Sequence, residues 1–175
     1  MFLKKFFIVY FQITQTLHSH PRTRNVFENT YAANTLPDKP VASRPVAYVV
    51  NLSPLEKIGS HWICMYFPKV GLPEYFDTFV SEVPSHFEKF MGEEYKRNLG
   101  IVQHPLTTSC GQHVIFYIFQ RCNNKTMEQI LAEYSDRNLL TNDVNVTLMV
   151  NKNFRLDLKL IDFEFLKSVR NKTLL

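Results

Sequence analysis

The chain has 175 residues, 45% of them hydrophobic and 14% aromatic, which excludes disorder and is enough for one domain with a real core. A net charge of +4 falls short of a clustered basic stripe, so nucleic-acid contact is expected to be weak at most. Three cysteines, Cys64, Cys110 and Cys122, are too few for a disulfide scaffold and leave at least one thiol free, so a reducing, intracellular setting is expected over a secreted one.

Residues 1–14 carry Lys4 and Lys5 ahead of the apolar stretch Phe6-Phe7-Ile8-Val9-Tyr10-Phe11. This is similar to the charged and apolar regions of a signal peptide, but no small-x-small cleavage site follows it. The stretch is also too short to span a membrane, so no span is expected. A docked apolar segment or an incomplete natural start is the expectation. Residues 15–46, with Pro21, Pro37, Pro40 and Pro45, read as an irregular wrap.

Residues 47–52 are a short apolar run, the pattern of a buried strand. A turn over 53–60 leads to a second strand, 61–67, closed by Pro68. A connection containing Gly71 leads to a third strand, 74–80. Residues 83–99 read as a helix, with Ser85 as N-cap, Glu88 as its capping-box partner, and Phe87, Phe90, Met91 and Tyr95 at helical spacing. A short fourth strand is expected over 100–103. Residues 110–121 are apolar almost all round, which predicts a central buried helix. Two further helices with cap residues at their starts are expected over 126–134 and 142–151. Residues 156–165 fit strand and helix equally. Strands followed by helices predict an α+β domain, a mixed sheet packed against the central helix.

Four residues carry chemistry. Cys110 opens the central helix, where free backbone N–H groups and the positive helix end favour a thiolate nucleophile. His61 begins a strand, from whose end an imidazole can take the thiol proton and return it to a leaving amine. Asp77 lies 16 residues later on a neighbouring strand and can hold the imidazole tautomer. Gln103, seven residues before Cys110, can add its amide N–H to the Cys110 backbone N–H in an oxyanion hole, with Pro105 fixing the turn between them. Gly111 allows close backbone approach of a substrate, and Trp62 faces away from His61 by strand alternation.

Each residue alone also fits a structural role: a buried thiol before an apolar run, a satisfied histidine, a paired carboxylate, a polar loop glutamine. A metal site from Cys64, His104, Cys110 and His113 lacks a second ligand pair at matching spacing, so no metal is expected.

The ordered combination is more specific than its parts. Gly59-Ser60-His61-Trp62, then Tyr75-Phe76-Asp77-Thr78-Phe79, then Val102-Gln103-His104-Pro105 running on to Cys110-Gly111 resembles the adenovirus protease (adenain) family. It is closest in pattern to the family's relatives in Maverick/Polinton transposons and related DNA viruses, with distant similarity to deSUMOylating proteases. The resemblance runs from about Asn25 to about Tyr134 and includes Phe27-Glu28-Asn29-Thr30-Tyr31 and Leu36-Pro37. It implies an α+β papain-like fold with a His61, Asp77, Gln103, Cys110 catalytic set, Trp62 and Gly111 beside the substrate, and a protease domain over 25–175. Residues 1–24 do not look like the family's usual N-terminal helix.

The implied activity is a cysteine endopeptidase, cutting after small residues such as glycine in viral or transposon capsid precursors. A cytoplasmic, nuclear or virion location and a monomer follow. Adenain is stimulated by a disulfide-linked peptide and by DNA. No cysteine lies within residues 81–99 to take such a peptide, and the charge is modest, so no cofactor is expected. The alternatives are a deconjugating protease for a ubiquitin-like protein and a catalytically idle, domesticated binding protein.

Overall fold

The computed structural model describes residues 2–57 and 61–155. Among the described residues, five helices and five strands follow one another as α1 (Phe2–Ser19), β1 (Phe27–Ala32), β2 (Val46–Asn51), β3 (Trp62–Phe67), β4 (Glu74–Phe76), α2 (Ser85–Met91), β5 (Lys96–Arg97), α3 (Cys110–Cys122), α4 (Met127–Leu131) and α5 (Leu139–Phe154). The strands form one mixed sheet in the order β1-β2-β3-β4-β5. β1 runs parallel to β2, β4 runs parallel to β5, and the β2–β3 and β3–β4 pairs are antiparallel. The domain is therefore α+β, as the order of apolar runs predicts.

Strand alternation splits the core into two layers. Ala47, Val49, Trp62, Cys64, Tyr66 and Phe76 face α3 and join a cluster with Ile13 and Leu17 of α1 and Val146 and Val150 of α5. Tyr48, Val50, Ile63, Met65 and Tyr75 face the other way and pack with Phe87, Phe90 and Met91 of α2. Both faces of β2 and β3 are covered, which is why these strands read as continuous apolar runs.

α3 is the buried central helix that the sequence predicts. Two devices lock it against β4. The Tyr117 ring stacks on Phe76 at 4.4 Å. The Tyr117 hydroxyl donates to Glu74 Oε2 at 2.6 Å, and Arg121 lies 3.0 Å from the same oxygen. Burial raises the Glu74 carboxyl, against the pull of Tyr117 and Arg121. Because α3 cannot slide along β4, the position of its first residue, Cys110, is fixed relative to the sheet.

Several elements depart from the sequence reading. The wrap expected over 15–46 contains the end of α1 and all of β1. Aromatic and β-branched residues (Phe27, Thr30, Tyr31) outweigh the later prolines there, and a register shift between Phe27 and Asn29 hides the alternation. The helix expected over 83–99 stops at Met91, where Gly92 takes φ 100°, a left-handed value open to glycine. Lys96 and Arg97 pair instead with Glu74 and Tyr75. Ser85 is the first helical residue, the cap position belongs to Pro84, and no side chain caps it. The third strand ends at Phe76, before Asp77, and residues 100–103 form no strand. The last helix is longer than 142–151, starting from the cap Asn138. Residues 156–165 lie outside the described residues.

α1 packs as part of this core: Ile13, Thr16 and Leu17 are buried, and Thr23 Oγ1 donates to Leu17 O at 2.6 Å. No described helix is long and apolar enough to cross a membrane.

Candidate active site

The end of β4 builds the site. Asp77 is the first residue past the strand and is fully buried. A carboxylate at that depth needs full compensation. Its Oδ1 accepts from the Phe79 N–H at 2.9 Å, and its Oδ2 from the Ser81 N–H at 2.8 Å. The chain thus curls around the carboxylate. Asn98 holds the Asp77 backbone from the other side: its Oδ1 accepts the Asp77 N–H at 2.9 Å, and its Nδ2 donates to Asp77 O at 2.7 Å. Closing this turn puts Val80 at φ 57°, a left-handed value that β-branched residues rarely adopt.

His61 stands immediately before β3, with its carbonyl accepting the Leu52 N–H at 2.9 Å. The antiparallel β3–β4 register brings its ring to Asp77, with Nε2 at 2.6 Å from Oδ1. The Phe79 ring tilts against the imidazole at 4.9 Å between centroids. His61 is 7% exposed. The Cys110 thiol lies near enough to the same imidazole to raise it. With Nε2 engaged by Asp77, Nδ1 is the ring nitrogen left for the thiol.

Burial works against a charge on His61, but the hydrogen bond to Asp77 and the nearby Cys110 thiol outweigh it and push the imidazole up to about 9. Burial likewise opposes the Asp77 charge. The bond from His61 and the backbone N–H groups of Phe79 and Ser81 overcome it and hold the carboxyl below its ordinary value. At neutral pH the pair is imidazolium and carboxylate. A charged imidazole against a half-buried thiol at a helix start can stabilise a thiolate and can protonate a leaving group.

Gln103 is buried and oriented without ambiguity in its partners. Its Oε1 accepts from Thr78 Oγ1 at 2.7 Å, and its Nε2 lies 3.2 Å from both the carbonyl and the hydroxyl of Thr107. The amide thus bridges the residue after Asp77 to the turn that leads into α3. Trp62 and Gly111 meet one another and α1. A Cβ at Gly111 would sit 3.2 Å from Ile13 Cδ1 and 3.8 Å from Trp62 Cδ1, so the glycine lets α1 approach the start of α3.

Of the residues the sequence points to, His61 and Asp77 come into one hydrogen-bonded pair with the Cys110 thiol near the imidazole, and Gln103 is joined to the same turn through Thr78. Gly59 and Ser60 lie outside the described residues. His113 is engaged elsewhere: its Nε2 meets Asp143 Oδ1 at 2.8 Å, and among the described residues no group of three or more His, Cys, Asp or Glu side chains could hold a metal ion. Asn98, Phe79 and Asp143 were not expected. Asn98 has no sequence signal, whereas Asp143 had one. It shares a helical stripe with Val146, Thr147 and Val150, and a carboxylate there needs partners. No protein-family model matches this chain, and no curated protein matches it.

Proposed function

We propose that the protein is a cysteine endopeptidase that uses His61, Asp77, Gln103 and Cys110. The observation that carries this reading is the buried imidazole of His61, hydrogen-bonded to Asp77 with the Cys110 thiol near enough to raise it. Cys110 attacks the peptide carbonyl as a thiolate, and His61 delivers its proton to the departing amine. Asp77 keeps the ring oriented and stabilises its charge. The Cys110 backbone N–H and the Gln103 amide stabilise the tetrahedral oxyanion. Gln103 Nε2 carries two N–H groups and lies 3.2 Å from both the carbonyl and the hydroxyl of Thr107, which hold it beside the turn into α3.

The finer reading is an adenain-type, papain-like protease that cuts after small residues, glycine among them, in capsid precursors of a virus or transposon. It rests on the ordered sequence motifs and on the agreement of their spacing with the buried His61–Asp77 contact. Protein substrate is the partner, and no metal or cofactor takes part.

The test is cleavage of a peptide library with glycine on the acyl side of the cut, read by mass spectrometry. Cys110→Ala abolishes cleavage, while Cys64→Ala and Cys122→Ala retain it. Cleavage that survives in Cys110→Ala overturns the assignment.

A further inference from the structure

The molecule holds a second buried Asp–His pair, and it sits behind the segment that joins Gln103 to Cys110. Asp143, near the start of α5, is fully buried. Its Oδ1 accepts from Ser109 Oγ at 2.9 Å and from His113 Nε2 at 2.8 Å. Its Oδ2 accepts from Thr107 Oγ1 at 2.9 Å and from the His104 N–H at 3.2 Å. All four donors belong to residues 104–113. Next to it, Asn142 Nδ2 donates to Val102 O at 3.0 Å. Two consecutive residues of α5 thus clamp both ends of the turn.

The clamp continues into the candidate site. Thr107 Oγ1, held by Asp143, lies against Gln103 Nε2, and Gln103 Oε1 is held in turn by Thr78 beside Asp77. Ser109, also held by Asp143, is the residue before Cys110. An ionised carboxylate only accepts hydrogen bonds, so it can satisfy four donors at once. An amide cannot, because one of its two ends donates. His113 is fixed from its other side by the Tyr134 hydroxyl, 3.1 Å from Nδ1, and burial holds its imidazole below the ordinary value. It therefore acts as a neutral N–H donor to Asp143.

We propose that Asp143, backed by His113, is a positioning residue of the candidate active site: through Thr107 and Ser109 it aims the Gln103 amide and the Cys110 N–H at the substrate oxyanion. This rests on the cysteine-hydrolase reading. Asp143 touches no reacting atom and leaves the His61–Cys110 contact to the sheet.

Two probes separate these roles. Iodoacetamide alkylates Cys110 and needs only the activated sulfur. A tripeptide aldehyde ending in glycinal needs the oxyanion donors as well: the thiolate Sγ bonds to the aldehyde carbon, the C=O π pair moves onto oxygen, and that oxygen either stays an oxyanion held by the donors or takes its proton from the His61 imidazolium. Asp143→Asn turns an amide N–H toward donors on one side. Thr107→Val removes the hydroxyl that joins Asp143 to Gln103, together with its contacts to Ser109 and the His104 carbonyl, and leaves in place the buried carboxylate and the Gln103 bond to the Thr107 carbonyl. Both variants are expected to bind the aldehyde about tenfold or more weakly than the wild type, with Cys110 alkylation at neutral pH little changed. Thr107→Ser, which keeps the hydroxyl, restores aldehyde binding.

Unchanged aldehyde affinity in folded Thr107→Val overturns the inference, and so does an equal loss of both probes, which marks a purely structural role. Should Asp143→Asn not fold, Thr107→Val and Thr107→Ser decide the matter. A wild-type protein whose Cys110 neither labels ahead of Cys64 and Cys122 nor binds the aldehyde brings down the hydrolase reading itself, and this inference with it.

Discussion

The two Asp–His pairs use the same residue types, both buried, and end in opposite protonation states. His61 gains from a carboxylate and from the Cys110 thiol, and these overcome its burial. His113 is fully buried and has the Asp143 carboxylate alone to raise it, and burial wins. The consequence for stability follows by linkage. A folded-state value for His61 of about 9, against an ordinary 6.5, gives stability that is fully present below 6.5 and lost as pH rises through about 9. The lowered Asp77 value gives stability that is present above the ordinary 3.8 and lost as pH falls through the folded value. His113, lowered, weakens the fold only on the acid side of 6.5. Urea unfolding midpoints are therefore expected to decline between pH 6.5 and about 9, by an amount on the order of 3 kcal/mol in unfolding free energy. Asp77→Asn removes most of that decline. A variant that keeps the full alkaline decline would show that Asp77 does not hold the His61 charge.

At the scale of elements, the connection from β4 to α2 shows how a site can bend a strand out of its pattern. Tyr75 and Phe76 continue as β4, and by composition residues 74–80 read as one strand. The turn forms because the Asp77 carboxylate recruits the N–H groups of Phe79 and Ser81. Those bonds hold the ring of Phe79 on His61 and force Val80 into the left-handed region. A strained backbone of this kind costs of order 1–3 kcal/mol. Val80→Gly is expected to stabilise the fold by about 1 kcal/mol and to raise Tm by roughly 2–4 °C, with the His61–Asp77 pair intact. Calorimetry checks this; a lower Tm would mean that the Val80 side chain contributes more through packing than its backbone costs. The same contest explains the shortened helix after Ser85. Tyr95 sits at helical spacing, but Gly92 ends the helix and Lys96 and Arg97 find the open edge of β4.

Across the whole molecule, what was legible in the sequence is what local pattern encodes. The apolar runs of β2 and β3, the all-round apolar face of α3, the cap at Thr126 and the α+β order of elements are local, and all are present in the structure. The His61–Asp77 contact was legible because one short connection separates two antiparallel strands. Contacts that depend on distant chain segments were not legible: β1 on β2, Asn98 on Asp77, and Asp143 on the turn before Cys110 join residues 19 or more positions apart. The three cysteines report on the whole arrangement at once. Cys64 is fully buried, and burial raises its thiol well above the ordinary value; burial likewise pushes Cys122 up to about 11. Only Cys110 lies against a charged imidazole. The decisive measurement is the alkylation rate of each cysteine by iodoacetamide across pH, read by mass spectrometry in wild type and His61→Ala. An active-site thiol at Cys110 predicts that it labels first at neutral pH, ahead of Cys64 and Cys122, and that His61→Ala slows it by about tenfold or more. Labelling of Cys110 at the same neutral-pH rate with and without His61 would contradict a catalytic His61–Cys110 pair.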